Sequence, residues 1–450
     1  MAKYFGTNGV RGLFDALGPE LAMGISQAIG AYFKCGKIIV ARDARLTGEC
    51  LKHAAIAGLQ SIGCEVADID YASAPTAEFM IKRLGADGLI IITASHNPPE
   101  WNALKVVDGN GVTVSKERGE GIERLMGHAS PVAWDGIKPT TVYRNAAADH
   151  IAGIIKLVDK KRIRARKPKL VLDCGNGMAA FIAPQLFTEL GCGITMLNGS
   201  VDGRFPGRPS EPTEANVSAM LDAVKSSGAD AGIAWDGDSD RVVFADEKGR
   251  YVIGDRVFAL SVLWKLGKAG KARGKGDIAT TVSTSRAAED VARRFGGKTI
   301  YTKIGAPYLS EEVAKGHAVM AGEEVGGVIW PELSLAKDGF MAAAKMVESL
   351  CEKPLSAWLE EIPRYHNVKA KISAGTEEEK GKIVGRVRRE MQARKLRVIE
   401  IDGVRADFDD SWLICRPSGT ENYVRIFAEA KSGEKAEKLL KEWKEIAEKG

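Results

Sequence analysis

Three segments of the chain repeat one pattern of apolar and polar positions. Each begins with a helix-like stretch, passes through a short glycine turn and ends in a strand-like run rich in β-branched residues. The segments cover residues 54–70, 182–198 and 287–305. The glycines that close the three helices are Gly63, Gly191 and Gly296. Glycine is favourable where a helix ends in a left-handed residue, and β-branched residues favour strands. The repetition predicts parallel α/β layers in three related units.

Each unit is followed by an apolar strand that ends in a polar loop. The three loops are TASHNP (93–98), DGDSD (236–240) and GEEVGG (322–327). In open α/β sheets, binding residues gather in loops beyond the carboxyl ends of the strands. We therefore expect the three loops to occupy comparable places in related domains and to carry the chemistry.

The chain is predicted to contain four domains. Three α/β domains and a smaller C-terminal α+β domain cover 1–150, 151–254, 255–365 and 366–450. The last domain lacks the repeat and combines an acidic-basic helix over 377–394, several short strands and a charged terminal helix over 434–449. This combination is typical of a small α+β unit.

Composition narrows the class of protein. The 450 residues include 64 Lys and Arg against 59 Asp and Glu, a net charge of +5. This balance argues against nucleic-acid and membrane partners. The polar, glycine-rich start argues against a signal peptide, and the apolar runs fall short of the ~20 residues that span a bilayer. Seven scattered cysteines without a C-x-x-C pair disfavour a disulfide framework and a zinc ribbon. We expect a cytoplasmic protein.

Three carboxylates alternate in the sequence WDGDSDRVV. Asp236, Asp238 and Asp240 repel one another unless a cation neutralises them, and hard oxygen ligands suit Mg²⁺ or Ca²⁺ rather than zinc. An EF-hand is excluded because Arg241 stands where that loop needs glycine. Two alternatives stay open: a solvated acidic turn, and the nucleophile loop of a haloacid-dehalogenase-type phosphatase, in which Asp236 would be phosphorylated.

Ser95 and His96 lie in ITASHNPPEWNALK, after an apolar strand. Taken alone, this serine is explained by a helix cap or a turn. A Ser-His hydrolase is poorly supported, because no G-x-S-x-G elbow surrounds Ser95 and a sequence neighbour is unlikely to face its hydroxyl as a base.

Two further loops have the composition of phosphate sites. RPSGTEN (416–422) combines hydroxyls, exposed backbone N–H groups and guanidinium groups, which are the parts that a phosphate needs. The residues concerned are Arg416, Ser418, Gly419, Thr420 and Arg425. FGTNGVRG near the start has a similar character and presents Arg11. By contrast, CGNGMAA (174–180) is interpreted as a tight turn, since no acidic residue stands at the strand end that a dinucleotide site requires.

TASHNP, DGDSDR, GEEVGG and RPSGTEN follow one another in that order, with FGTNGVRG ahead of them. In these motifs the whole chain resembles the α-D-phosphohexomutase superfamily, which includes phosphoglucosamine mutases and phosphomannomutase/phosphoglucomutases. The resemblance implies a heart-shaped, four-domain α/β architecture around a central cleft. It also implies an isomerase that moves phosphate between O6 and O1 of a hexose through a phosphoserine and a 1,6-bisphosphate.

The resemblance assigns the reacting groups. Ser95 matches the serine that is phosphorylated, and together with Asp236, Asp238 and Asp240 it matches the ligands of Mg²⁺. The physical chemistry is consistent with these roles, because positioning and charge neutralisation do most of the work in phosphoryl transfer. A hexose 1,6-bisphosphate is the expected activator.

Five further residues match positions of the family around the reacting phosphoryl. Arg11, Arg241 and Lys303 correspond to cations that lie near it. Lys105, with His96 close by, corresponds to the general acid/base, which would need a pKa lowered by cationic neighbours.

The remaining matches concern the sugar and its second phosphate. Gly305, Glu323 and Val325 fall at sugar-binding positions, and RPSGTEN with Arg425 would hold the phosphate that is not reacting. Val325 departs from the serine that many relatives carry, and Asn422 departs from a common proline. The best guess for the reaction is glucosamine 6-phosphate to glucosamine 1-phosphate, with a phosphomannomutase/phosphoglucomutase as the alternative.

Two hypotheses of other classes remain: an aspartyl-phosphate phosphatase that uses Asp236, and a sugar-phosphate binding protein without catalysis. The expected partner is a phosphosugar, and the expected assembly is a monomer or a homodimer.

Overall fold

A computed structural model of the chain describes residues 4–6, 9–269, 276–418 and 422–449. Within these residues the strands form four sheets, of seven, five, four and five strands in chain order. The predicted four-domain α/β architecture is confirmed in its sheets. No helix in the described ranges has the length and apolar character that crossing a bilayer requires.

The first sheet has the strand order β1-β2-β6-β5-β3-β4-β7. Its strands are β1 Phe5–Gly6, β2 Gly9–Leu13, β3 Lys37–Arg42, β4 Glu65–Tyr71, β5 Gly88–Ile92, β6 Trp101–Asp108 and β7 Thr140–Val142. The helices around it are α1 Pro19–Tyr32, α2 Gly48–Ser61, α3 Ala74–Leu84 and α4 Lys116–Glu123. Strand β5 is parallel to β3 and antiparallel to β6. Every residue of β5 is buried, as expected for a parallel strand covered on both faces.

The second sheet has the order β12-β11-β10-β8-β9. Its strands are β8 Lys169–Asp173, β9 Gly193–Leu197, β10 Ala231–Trp235, β11 Val242–Ala245 and β12 Tyr251–Val252. The helices that precede or cover it are α5 Ala146–Ile155, α6 Lys160–Arg166, α7 Ala179–Leu190 and α8 Ser218–Ser227. Because α5 runs through residue 150, the predicted boundary between residues 150 and 151 falls inside a helix, and we propose that the division lies before Ala146 instead.

The third sheet has the order β14-β13-β15-β16. Its strands are β13 Ile278–Thr281, β14 Thr299–Thr302, β15 Met320–Gly322 and β16 Val328–Ile329. Its helices are α9 Gly254–Ala269, α10 Arg286–Arg294, α11 Ala306–Ala314, α12 Gly339–Ser349 and α13 Leu355–Glu360. The second and third units share one large apolar core that includes Trp235, Phe258 and Phe340.

The fourth sheet is antiparallel, with the order β17-β21-β20-β19-β18. Its strands are β17 His366–Ser373, β18 Val398–Ile399, β19 Val404–Asp407, β20 Ser411–Pro417 and β21 Tyr423–Ala430. Two helices accompany it, α14 Glu377–Ala393 and α15 Gly433–Glu448. The prediction of a smaller α+β unit with a central and a terminal helix is confirmed.

The predicted helix-turn-strand repeat is present in all three α/β units. It comprises α2 and β4, α7 and β9, and α10 and β14. Gly63, Gly191 and Gly296 have φ values of 83°, 87° and 79°, so each helix ends in the left-handed conformation that glycine was predicted to supply.

The three polar loops also occupy one topological place. Each follows a strand paired in parallel with a neighbour and precedes an antiparallel strand: β5 to β6, β10 to β11, and β15 to β16. Because the chain turns back sharply into an antiparallel strand, TASHNP, DGDSD and GEEVGG lie at the carboxyl ends of β5, β10 and β15, where we expected them.

Candidate active site

Ser95 lies in a strained turn just after β5. Its φ is 48°, an unusual value for a residue other than glycine. Its N–H donates to Thr93 Oγ1 at 3.0 Å, and its carbonyl oxygen accepts from Arg45 Nη2 at 2.9 Å. The fully buried Arg45 also donates to the carbonyls of Pro98, Trp101 and Asn97, so one guanidinium holds the loop together from within. These bonds leave the Ser95 hydroxyl directed toward the second unit.

The Ser95 hydroxyl donates to Asp236 Oδ2 at 2.6 Å. This bond joins the TASHNP loop of the first unit to the DGDSD loop of the second. Asp236, Asp238 and Asp240 are all buried, and one oxygen from each lies within 4.8 Å of the others. The loop itself is pinned to the first unit, because the N–H of Ala74 donates to the Asp238 carbonyl at 2.9 Å.

The three carboxylates differ in their affinity for protons. Burial and the neighbouring aspartates raise the pKa of Asp236 well above its usual value, and they raise the pKa of Asp238 to about 6. Burial also acts on Asp240, but the ammonium groups of Lys337 and Lys105 outweigh it and lower the pKa of Asp240. The cluster therefore carries more negative charge than its own surroundings neutralise.

A divalent cation fits this cluster. Asp238 Oδ1 and Asp240 Oδ1 are buried and have no hydrogen-bond partner among the described atoms. Buried oxygens without partners are costly unless something binds them, and three carboxylates are the ligands that Mg²⁺ prefers. The Ser95 hydroxyl, 2.6 Å from Asp236, is close enough to join the set.

Two arginines and a histidine lie beside Ser95. Arg11, on β2, donates to Asn97 Oδ1 at 2.7 Å, and Arg241, just before β11, donates to Glu211 Oε2 at 2.7 Å. His96 Nδ1 lies 3.4 Å from Ser95 Oγ. The positive charge of Arg241, burial and the charge of Arg11 lower the pKa of His96 to about 2. His96 is therefore a neutral imidazole at pH 7.

Lys105 does not have the lowered pKa that its expected acid/base role requires. Its ammonium, on β6, donates to Glu78 Oε1 of α3 at 2.7 Å, and both side chains are buried. Burial alone would lower the pKa of Lys105, but the carboxylates of Glu78, Asp240 and Asp238 outweigh burial and raise the pKa. The expectation of cationic neighbours was wrong, because its nearest partner is an acidic side chain from a helix that the sequence pattern did not connect to this loop.

Glu323 begins the GEEVGG loop, immediately after β15. Its Oε1 accepts from Lys337 Nζ at 2.6 Å, and the same ammonium lies 3.1 Å from Asp240 Oδ2. Lys337 thus connects the loop of the third unit to that of the second. Val325 is partly exposed on this loop, and Gly305, with a φ of 136°, is the residue before α11.

Lys303 lies apart from these groups. Its ammonium pairs with Glu117 Oε1 at 3.0 Å, on the first turn of α4, and lies over the ring of Tyr308. The side chain is about half exposed. The contact joins the first and third units, and we find no contact to Ser95 in the described part of the chain.

Among the described residues of the RPSGTEN loop, Arg416 is connected to the third unit through Asp402. Arg416 Nη2 lies 3.2 Å from Asp402 Oδ2, which also accepts from the N–H of Ile304 at 3.1 Å. Arg425 donates to the Tyr423 hydroxyl, and the Ser418 carbonyl accepts from Lys380. Gly419 and Thr420 lie outside the described residues, so the structure says nothing about these two predictions.

CGNGMAA forms the predicted tight turn. Its location against the DGDSD loop did not follow from the sequence. The N–H of Met178 donates to the Gly237 carbonyl at 2.9 Å. A Cβ at Gly177 would lie 2.6 Å from that carbonyl oxygen. The turn therefore needs glycine for close backbone contact with DGDSD.

Sequence reasoning missed several residues that hold the site together, namely Arg45, Glu78, Asn97, Glu211 and Lys337. Each acts through a partner from another part of the chain, and only Asn97 stands in one of the motifs, TASHNP. The signal available in the sequence was weak: a charged residue within an otherwise apolar or glycine-rich stretch.

Models of four consecutive domains match the chain. They describe the phosphoglucomutase/phosphomannomutase alpha/beta/alpha domains I, II and III and the C-terminal domain. The residues matched are 2–132, 148–249, 253–365 and 373–446.

Curated relatives match over nearly the whole chain. A protein of Thermococcus kodakarensis named phosphoglucomutase/phosphomannomutase is 38% identical, over 98% of this chain and 97% of its own length. A probable phosphoglucosamine mutase of Methanopyrus kandleri is 36% identical, over 99% and 98%. The crystal structure of a phosphoglucomutase/phosphomannomutase family protein from Burkholderia thailandensis superposes with a TM-score of 0.86 at 25% identity, covering 99% of this chain and 97% of that one.

Proposed function

Because the chain belongs to the phosphoglucomutase/phosphomannomutase family and is a phosphohexomutase, we propose that it interconverts hexose 6-phosphates and hexose 1-phosphates through a phosphoserine at Ser95. The best candidate substrate is glucosamine phosphate, the sugar in the name of one close relative. The alternative substrate is a mannose or glucose phosphate, because the name of the Thermococcus kodakarensis relative contains these two sugars.

The observation that carries the proposal is the hydrogen bond from Ser95 Oγ to Asp236 Oδ2 at 2.6 Å. It puts the serine nucleophile next to three carboxylates that can bind Mg²⁺; Arg241 lies 4.0 Å from the same Asp236 oxygen, and Arg11 bonds to Asn97 of the serine loop. When bound, Mg²⁺ would supply positive charge that stabilises the transferring phosphoryl. Asp236, Asp238, Asp240 and Ser95 would hold it.

The residues of the chain suit both directions of transfer. When the phosphoserine reacts, its P–Oγ bond breaks and Oγ keeps the electron pair, while a sugar hydroxyl oxygen bonds to phosphorus. Arg11 and Arg241 stand where they offset charge on the phosphoryl oxygens. The sugar 1,6-bisphosphate then turns round and returns its other phosphate to Ser95.

The proton of the attacking hydroxyl needs an acceptor. His96 is a neutral imidazole beside Ser95 Oγ, whereas Lys105 is a charged ammonium paired with Glu78. Because His96 lies next to Ser95 Oγ, we assign to it the proton of the Ser95 hydroxyl when that hydroxyl attacks the bisphosphate, with its low pKa raised by the negative phosphoryl group beside it. We leave Lys105 as a fixed positive charge. Glu323 would receive sugar hydroxyls, and the RPSGTEN loop with Arg425 would grip the second phosphate.

The phosphatase alternative is less well supported. Asp236 is 1% exposed and its Oδ2 already accepts from Ser95, which leaves little room for in-line attack by that oxygen on a phosphate. A binding protein without catalysis would not need the serine, the carboxylates and both arginines in one place.

Replacement of Ser95 tests the proposal. We expect Ser95→Ala to lower kcat for isomerisation by at least about 10⁴-fold, because the covalent step is lost, and to remove one phosphate from the mass of the intact protein. The assay couples glucosamine, glucose and mannose phosphates to a detector, with Mg²⁺ and a hexose 1,6-bisphosphate. Ser226→Ala, on the exposed end of α8, is the control. Full activity of Ser95→Ala would rule the phosphoserine out, and steady phosphate release would favour the phosphatase.

A further inference from the structure

Lys337 connects two loops that the reaction uses. It follows β16, and its backbone forms a β-bridge with Ile329. Its ammonium lies 2.6 Å from Glu323 Oε1 and 3.1 Å from Asp240 Oδ2, and 4% of its side chain is exposed. The buried ammonium of Lys337 therefore joins the GEEVGG loop to the DGDSD loop.

Residue 327 is a glycine that makes room for this lysine. A Cβ at Gly327 would lie 2.5 Å from Lys337 Cδ and 3.2 Å from Glu323 Oε1. Its φ is outside the left-handed region, unlike the neighbouring Gly326 with a φ of 87°, so backbone conformation does not require glycine here. We infer that the space is kept for the lysine stem.

The backbone on either side of Lys337 is fixed by several elements. The N–H of Asp338 donates to the Val328 carbonyl, and its carboxylate caps α12. Asp338 Oδ2 lies 2.8 Å from His150 Nε2 of α5, and His150 Nδ1 lies 2.9 Å from Thr76 Oγ1 of α3. His150 and Asp338 are buried, so this chain of contacts fixes the backbone next to Lys337 against α5 and, through α5, against α3 of the first unit.

The two carboxylate oxygens of Asp240 have different surroundings. Oδ2 faces the Lys337 ammonium, whereas Oδ1 is buried without a hydrogen-bond partner among the described atoms. Lys337 thus leaves one oxygen of Asp240 for a metal ion and one oxygen of Glu323 for a ligand.

We propose that Lys337 is a positioning residue and internal counter-ion that orients Asp240 and Glu323 together and weakens the binding of Mg²⁺ to the carboxylate cluster. Its effect on turnover rests on the proposed function, but its effect on metal binding does not. A fixed ammonium close to the cluster repels a divalent cation in a medium of low dielectric constant. Its side chain also keeps the two carboxylates in one geometry.

These two effects predict opposite changes when the ammonium is removed. In Lys337→Met the cluster gains one uncompensated negative charge, so we expect the Kd for Mg²⁺ to fall by about 10-fold. We expect kcat to fall by about 10- to 100-fold, the range seen when residues behind a metal site are replaced. Tighter metal binding with slower turnover is a combination that simple loss of structure does not produce.

Calorimetric titration of the full chain with MgCl₂ measures the first change, and the coupled isomerase assay gives kcat and KM for the second. Gly327→Ala is a second variant, because its methyl group displaces the lysine stem without removing a charge, and we expect both changes in the same directions but smaller. Lys345→Met is the matched control: this lysine lies further along α12, where it contacts Glu348 and the Leu157 carbonyl. It should leave both quantities at wild-type values.

Unchanged or weaker Mg²⁺ binding in Lys337→Met and Gly327→Ala would overturn the proposal, as would a wild-type kcat in both. If Lys337→Met does not fold, Gly327→Ala alone decides. If the wild-type chain isomerises none of the hexose phosphates, the proposed function fails, whereas the comparison of Mg²⁺ affinities still tests Lys337.

Discussion

Lys105 and Glu78 form a buried ion pair, 2.7 Å long and close to the DGDSD loop. Such a pair contributes little net stability, but removing one partner leaves a buried charge without compensation. The positive charge of Lys105 also faces Asp238 and Asp240. A single substitution here therefore affects folding and the electrostatics of the site together.

We expect Glu78→Gln to lower the free energy of unfolding at pH 7 by about 3 kcal/mol, because Lys105 keeps its burial and loses its partner. Burial raises the pKa of Glu78, so its ionised carboxylate alone does not stabilise the fold. The pKa of Lys105 is raised by Glu78, Asp240 and Asp238 against burial, so the Lys105 ammonium stabilises the fold below pH ~10.4, and this contribution is lost as the pH rises through the folded pKa. Urea denaturation at pH 7 and at pH 11 measures both effects.

The double variant Glu78→Gln/Lys105→Met is the control for this prediction, and it should recover a large part of the lost stability. A single variant as stable as the wild type at pH 7 would contradict the prediction.

The pair also shows where sequence reasoning reaches its limit. Both residues stand in ordinary helix and strand patterns, and only the packing of α3 on β5, the strand next to β6, brings them together.

At the scale of the elements, much more could be predicted. The three glycine turns, the strands that follow them and the loops beyond β5, β10 and β15 all follow from local chemistry: the conformational freedom of glycine and the β-preference of branched residues. What stayed hidden is which side chains from other units complete each loop. Lys303 illustrates this, because its partner Glu117 is 186 residues away along the chain.

The repeat offers an internal comparison of equivalent glycines. A Cβ at Gly296 would meet no atom within 4 Å, whereas at Gly191 it would lie 2.7 Å from Arg164 Cγ. We expect Gly296→Ala to cost about 1 kcal/mol, from left-handed strain alone, and Gly191→Ala to cost at least about 2 kcal/mol, from strain and collision. Thermal and urea unfolding of the two variants measure the difference.

Gly296→Asn should be milder than Gly296→Ala, because asparagine tolerates the left-handed region. Equal losses at Gly191 and Gly296 would show that the collision with Arg164 is relieved at no cost.

For the whole molecule, Arg405 and Arg286 are two of the side chains that connect the third and fourth units. The Arg405 guanidinium lies between the rings of Tyr301 and Trp412, 4.4 Å from each centroid, and it is fully buried. It donates to the Val282 carbonyl at 2.7 Å and to Asp407 at 2.9 Å. These contacts couple the fourth sheet to β13 and β14.

We expect Arg405→Met to weaken the attachment of the fourth unit, because the substitution removes the bonds of Arg405 to Val282 and Tyr301 and keeps most of the apolar volume, while the bonds of Arg286 remain. Scanning calorimetry should then show the unfolding of this unit as a separate transition, several degrees below that of the rest. Arg388→Met, which breaks a half-exposed pair with Glu400 within the fourth unit, should leave the profile unchanged. A single wild-type transition in Arg405→Met would contradict the prediction.

A Cβ at Gly177 would collide with the Gly237 carbonyl, and a Cβ at Gly327 would collide with the side chain of Lys337. Neither glycine has a side chain that could touch a ligand, yet any side chain added at either position moves a loop that does. In a saturation library screened for activity, both positions should therefore accept fewer side chains than the partly exposed Val325, with losses smaller than those at Ser95. Engineers who wish to change the preferred sugar should diversify partly exposed positions such as Val325, whose side chain can change while these backbone contacts stay in place.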